Sequence, residues 1–181
     1  MNTELREFVS NLAKTYDKQN AEETFNLIKE KAESVKEYNY PLYAIPFDHE
    51  PSISYFLFKE SYRLVAVDSI KDIEEEEKEE RKNVLYRMLS SLFGTLAFDS
   101  ETDYLSKAAS DVYIELLGDK FDSFLELALE NKKKLILRIL DNTKTQEDRE
   151  QIYKFYEDSV KHSVYKEQII KALDEAFKEH N

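Results

Sequence analysis

Apolar residues recur every three or four positions along almost the whole chain, the spacing of amphipathic helices. Leu5, Phe8, Val9 and Leu12 predict a first helix over about residues 3–16. Asn20 with Glu23 reads as an N-cap signature, and Phe25, Leu27, Ile28, Ala32 and Val35 carry a second helix. That helix is expected to end near Tyr38, because Asn39-Tyr40-Pro41 pushes the backbone into an extended conformation. Further on, Val84, Leu85, Met88, Leu89, Leu92 and Leu96 form a broad apolar stripe on a long helix that Ser69 and Asp72 are expected to cap. Ser100 with Asp103 predicts the next start, with Leu105, Ala108, Ala109, Val112 and Leu116 inside and Gly118 as its C′ residue. Phe121, Phe124, Leu125, Ala128, Leu135 and Ile139 mark another helix, with a break expected near Asn131. Thr145 with Asp148 caps a helix using Ile152, Phe155, Tyr156 and Ser159. Ser163 is placed at the start of a last one using Tyr165, Ile169, Leu173 and Ala176.

One stretch resists the period. Ile53-Ser54-Tyr55-Phe56-Leu57-Phe58 and Tyr62-Arg63-Leu64-Val65-Ala66-Val67 are rich in β-branched and aromatic residues, as strands are. Lys59-Glu60-Ser61 between them is poor hairpin chemistry, whereas Pro51 suits a first helical turn and Ile53, Phe56, Leu57, Leu64 and Val67 share a helical face. Helix is the preferred reading and a small β-hairpin at 53–67 the alternative. The expected fold is therefore mainly α: an irregular bundle of about seven helices in a single domain over 1–181, with an N-terminal helical hairpin (3–38) packed on a core (52–180). No fixed repeat period recurs, which favours a bundle over a solenoid.

Composition narrows the chemistry. With 181 residues, 41% of them hydrophobic and 35% charged, the chain is long enough to bury a core, too apolar for disorder and too charged to live in a bilayer. Met1-Asn2-Thr3-Glu4 lacks a basic, then apolar, leader, so a cytoplasmic location is expected. There is no Cys, which removes disulfides, thiolate nucleophiles and Cys-based zinc sites. Only Gly94 and Gly118 supply glycine, too few for a phosphate-cradling loop. Asp48-His49-Glu50 are adjacent residues whose side chains alternate in an extended chain, so they do not converge on one metal. His162 has Asp158 one turn before it, a simple surface pair. Ser90, Ser91 and Ser106 sit among apolar neighbours without a nucleophile elbow. No catalytic residue, cofactor or metal is therefore assigned.

Charge supplies the positive expectation. The net charge is −12, and residues 48–118 hold 16 acidic against 8 basic side chains. Asp72, Glu74, Glu75, Glu76, Glu77, Glu79 and Glu80 put seven carboxylates within nine residues. If the run opens a helix, its dipole favours Asp72 and Glu74 but not the later charges, leaving Glu75, Glu76, Glu79 and Glu80 as the place for a partner. Such a surface repels nucleic acid and membrane headgroups and attracts a basic protein. Tyr38, Tyr40, Tyr43 and Phe47 lie in the one irregular, proline-containing segment, where aromatics either fill a core or anchor an interface. The partner-binding set is thus the seven carboxylates with Tyr40 and Tyr43. The expected function is a non-enzymatic protein that docks on a basic macromolecular surface. Its sharpest form is a nucleic-acid-mimicking inhibitor of a host defence protein, since the Lys-, Asn-, Tyr- and Glu-rich usage is that of an AT-rich mobile element. The alternatives are a helical adaptor that binds a peptide or partner helix, and, more remotely, a carboxylate-based enzyme. Lys132-Lys133-Lys134, with Arg138 and Lys144, is the one basic cluster, suited to an acidic patch on a second copy in a homo-oligomer.

Overall fold

The computed structural model describes residues 2–15, 20–37, 46–47 and 49–180. Among them are eight α-helices and no strand: α1 (Thr3–Thr15), α2 (Ala21–Ser34), α3 (Pro51–Glu75), α4 (Glu79–Phe98), α5 (Asp103–Leu117), α6 (Phe121–Asp141), α7 (Gln146–Ser159) and α8 (Lys166–His180), with one 3-10 turn at Gly118–Lys120. α3 lies along α5, α4 packs on α5 and α6, and α6 on α8; α1 rests on α2, and α2 on α3.

The hairpin alternative at 53–67 does not form, because the whole stretch lies inside α3. Pro51 starts the helix where a missing N–H costs nothing, and Lys59-Glu60-Ser61 falls in mid-helix. The buried face differs from the one expected. It runs Ile53, Ser54, Leu57, Phe58, Ser61, Tyr62, Ala66 and Ile73, while Val67 is exposed. The two serines belong on this face because neither hydroxyl is left without a partner: Ser54 donates to the Phe47 carbonyl (2.6 Å) and Ser61 to the Leu57 carbonyl (2.6 Å). Opposite them, α5 buries Ser106, Ala108, Ala109 and Ser110, and small side chains on both helices allow close approach.

The acidic run also departs from expectation. It does not open one long helix. α3 continues through Ser69, whose hydroxyl bonds back to the Val65 carbonyl (2.9 Å), and ends at Glu75; α4 starts at Glu79. Other starts shift similarly. Thr102, not Ser100, caps α5 by accepting from the Leu105 N–H, and Asn20 precedes α2 without a side-chain cap bond. α6 is unbroken at Asn131, whose amide instead donates to Ser90 and Ser91 of α4. Thr145 caps α7 as expected, accepting from the Asp148 N–H (3.1 Å). Gly118 ends α5 with φ +54°, a backbone geometry that glycine tolerates best, and its N–H bonds the Ile114 carbonyl. His162 pairs with Asp103 (2.9 Å) rather than with Asp158, because α7 has ended before it.

The core is centred on Phe93 of α4, which is fully buried. Its ring centroid lies 5.0–6.1 Å from those of Phe98, Tyr113, Phe121, Phe124 and Tyr165, so one side chain ties together α4, α5, α6 and the turn before α8. The Tyr165 hydroxyl hydrogen-bonds Ser110, and Ser106 and Ser163 both donate to the Ala97 carbonyl (2.6 and 2.7 Å) at the end of α4. A second cluster, Ile136, Leu140, Tyr156, Leu173 and Ala176, joins α6, α7 and α8.

Phe93→Ala removes a ring that five others surround; it should lower the unfolding free energy by about 3–5 kcal/mol in urea titration. On the α3–α5 seam, Lys107 (2.6 Å) and the Tyr55 hydroxyl bond Asp111, while Lys59 (2.6 Å) and Arg63 bond Glu115. Burial pushes the Asp111 carboxyl up, but the bonds from Lys107 and Tyr55 outweigh it and hold the group below its ordinary 3.8. Bonds from Lys59 and Arg63 hold Glu115 below its ordinary 4.5. Both folded values are depressed, so this stability is whole above pH 4–5 and is lost as pH falls through the lowered values. Asp111→Asn should therefore flatten the decline in stability between pH 5 and pH 2, read as the wild-type-minus-variant difference in denaturation midpoint.

Candidate functional site

The seven predicted carboxylates divide between two helix ends. Asp72, Glu74 and Glu75 occupy the last turn of α3, Glu76 and Glu77 lie in the three-residue connection with Lys78, and Glu79 and Glu80 stand in the first turn of α4. This inverts the expected electrostatics. The dipole of α4 favours Glu79 and Glu80, whereas the C-terminal end of α3 disfavours Asp72, Glu74 and Glu75 by about 0.3–1 kcal/mol each. No basic residue occupies the last turn of α3. The break has a physical cause. A continuous helix would stack Asp72 on Glu76, Glu75 on Glu79 and Glu76 on Glu80, all like-charged pairs. Extended backbone at Glu76 (φ −71°, ψ 124°) and Lys78 (φ −90°, ψ 115°) separates them. Lys71 pairs with Glu75 (3.8 Å), and the Lys78 N–H donates to the Glu76 carboxylate (2.9 Å). Among the described residues Asp72, Glu74, Glu77, Glu79 and Glu80 make no ion pair. Tyr38, Tyr40 and Tyr43 lie outside the described residues. Phe47, from the same segment, is fully buried and fills the core.

Sequence reading missed what lies beside the run. The short connection makes α3 and α4 neighbours, and between them lies a groove of about 280 Å³ lined by Ser69, Asp72, Ile73, Leu85, Met88, Leu89 and Leu92. Ile73 and Leu89 form its buried floor. Met88 and Leu92 stand open on its wall, 63% and 40% exposed, and Val84, one turn before Met88, is 56% exposed. This half of the α4 stripe, expected to be core, faces outward: Leu89, Phe93 and Ala97 turn inward instead. The signal that would have separated the two faces is the width of the stripe, which exceeds what one neighbouring surface covers. On the other side of Ile73 and Leu89 is a larger cleft of about 500 Å³. Ile70, Tyr86, Leu116 and Leu117 add to its apolar lining, and Glu74, Lys82, Asp119 and Lys120 stand around it. Burial raises the Tyr86 hydroxyl above its ordinary value. The acidic end of the α3–α4 pair thus borders one largely apolar groove and one cleft of mixed polarity.

The basic cluster is largely consumed within the molecule. Lys132 is buried, bonded to Asp99 (2.6 Å) with its ammonium 5.0 Å from the centre of the Tyr156 ring; Lys133 pairs with Glu175 and Glu179, and Lys134 with Glu130 (2.6 Å). Lys132 and Lys133 tie α6 to neighbouring elements, and Lys134 pairs within α6, so the three do not form an open, unpaired positive face. Among the described residues no three or more His, Asp or Glu side chains gather to hold a metal ion, and no helix is long and apolar enough to cross a membrane. The buried hydroxyls of Ser54, Ser61, Ser106 and Ser163 are engaged with backbone carbonyls. Comparison with protein-family models, curated proteins and solved structures yields no match, so the function is read from geometry alone.

If the outer stripe is a free surface, Val84→Asn and Met88→Asn should each move stability by less than about 0.5 kcal/mol. Leu89→Ala, one position from Met88 but buried, should cost about 2–4 kcal/mol in the same urea titration.

Proposed function

We propose that this chain is a non-enzymatic binding protein that docks on a basic surface of another protein through the end of the α3–α4 pair. The observation that carries this reading is the unpaired carboxylates around the connection. Five of the seven make no ion pair among the described residues, and two of those five, Asp72 and Glu74, sit at a helix end that disfavours them. A basic partner would relieve both the mutual repulsion and the unfavourable dipole. Apolar surface continuous with these charges supports a protein partner, since interfaces combine an apolar centre with a polar rim.

The sharper form, imitation of a phosphate row by an inhibitor from a mobile element, draws on the same charges. It is the less supported of the two, because the run is divided between two helix ends and a connection, while duplex phosphates follow a regular path. The helical-adaptor reading gains from the open stripe of Val84, Met88 and Leu92.

Affinity capture from the native host tests the proposal. Wild-type protein and a variant with Asp72, Glu74, Glu75, Glu79 and Glu80 all changed to Lys would be used in parallel, with helicity checked by circular dichroism. Basic proteins retained by the wild type should be lost from the variant and released by rising salt, as screening of exposed charges requires. An identical captured set on a folded, charge-reversed variant would overturn the reading.

A further inference from the structure

The groove between α3 and α4 has a shape, a length and a direction of charge, and together they specify an occupant. Its open apolar wall is Met88 and Leu92 of α4, and exposed Val84 continues the same helix face one turn beyond the groove. Eight residues of helix cover about 12 Å, so about two turns of a partner helix with apolar residues at i, i+3 or i+4, and i+7 would cover the wall. The facing wall belongs to α3. Ser69 and Asp72 line the groove, and Val65, 36% exposed, lies one turn before Ser69. Two neighbouring helices with an open seam present the surface that helix-in-groove recognition uses, and the Met88 thioether adapts to differing side chains.

Charge along the groove is polarised. Asp72 stands in it, and the two helix ends with their connection hold the other six carboxylates against Lys71, Lys78, Arg81 and Lys82. At the far end of the stripe, Ser91 and Thr95 are neutral. Asp68, exposed one turn before Asp72, adds a charge along the α3 side, so an occupant meets its greatest negative charge at the connection. A helix with Lys or Arg in its first turns satisfies this twice, because its own N-terminal end carries the positive pole of the helix dipole. We infer that the α3–α4 groove receives a basic amphipathic helix of a partner protein. That helix runs parallel to α4, with its cationic N-terminal turns at the α3–α4 connection and its apolar face on Val84, Met88 and Leu92. This rests on the proposed docking on a basic partner and adds the partner's conformation, orientation and seat. A second copy of this chain is the poorer occupant. Among the described residues its most exposed aromatic, Phe155, lies on α7, whose first turn carries Glu147 and Asp148 and would bring like charge to the acidic end.

The chain contains only two methionines, Met1 and Met88, so ε-carbon-13 methionine labelling gives one methyl signal from the groove. The full chain would be titrated with a synthetic amphipathic peptide of about four turns, with leucines on one face and lysines in the first two turns. A matched peptide with the lysines in the last two turns and a scrambled peptide of the same composition serve as comparisons. The first peptide should shift the Met88 methyl signal saturably and bind at least about tenfold more tightly than the other two, a difference of about 1.4 kcal/mol. Leu92→Asn should lower that affinity by a similar factor. Equal binding of the scrambled peptide would overturn the helix while leaving acidic docking intact. Equal binding of the reversed peptide would overturn the orientation. Saturable binding that leaves Met88 unmoved would overturn the seat, and movement of its signal with protein concentration alone would make a second copy the occupant. Absence of binding by every peptide would also overturn the inference, and the charge-reversal capture would then judge the docking reading separately.

Discussion

The burial of Phe93 is the constraint on which the remaining packing depends. Five aromatic rings from four parts of the chain reach it, so α4, α5, α6 and the turn before α8 cannot be placed independently. Tyr113 and Phe124 stack on one another beside it, with ring centroids 5.4 Å apart. Turning Phe93 inward fixes the rotation of α4 about its axis. Leu89, Gly94 and Ala97 then follow it into the core, and Val84, Met88 and Leu92 are left facing out. The open stripe is thus a consequence of how the core is built.

The acidic run is the complementary constraint, acting from outside. Like-charge stacking makes a continuous helix through 72–80 costly, and the chain breaks there, which lets α4 lie beside α3. The same break that relieves repulsion creates the seam between the two helices. It gathers the carboxylates at one end of that seam, some at a helix terminus that favours them and some at one that does not. Charge and apolar surface become adjacent through this single turn, which is why the proposed docking face combines them.

The helical character was legible because apolar spacing survives nearly everywhere: Leu5 and Val9 of α1, Ile28 and Ala32 of α2, and Ile169, Leu173 and Ala176 of α8 are buried where the period predicts them, while Leu27 is exposed, and Thr145 and Gly118 mark helix ends by local chemistry alone. Elsewhere local signals compete; at 53–67 the preferred helix forms and the hairpin alternative does not. Val65, Val67 and the aromatics of 53–67 imitate strands, yet burial on α5 decides for helix. Ser54, Ser61, Ser106 and Ser110 look like surface residues and are core residues, because each hydroxyl finds a carbonyl or a tyrosine hydroxyl as partner. Lys132 looks like part of a solvated basic patch and is buried between Asp99 and Tyr156. Among the candidate site residues, the carboxylates were recognisable as a cluster, but the groove beside them was not, since it is formed by residues from two helices.

By itself the sequence determined the mainly helical class, the absence of thiol and glycine-loop chemistry, and the concentration of negative charge in the middle of the chain. These follow from residue identity and short-range spacing. Only the tertiary structure decided which side of the wide α4 stripe is buried, where the acidic run breaks, and that its charges border an apolar groove. Those outcomes depend on which surfaces meet across helices far apart in sequence, and a helical period constrains the faces without choosing their partners.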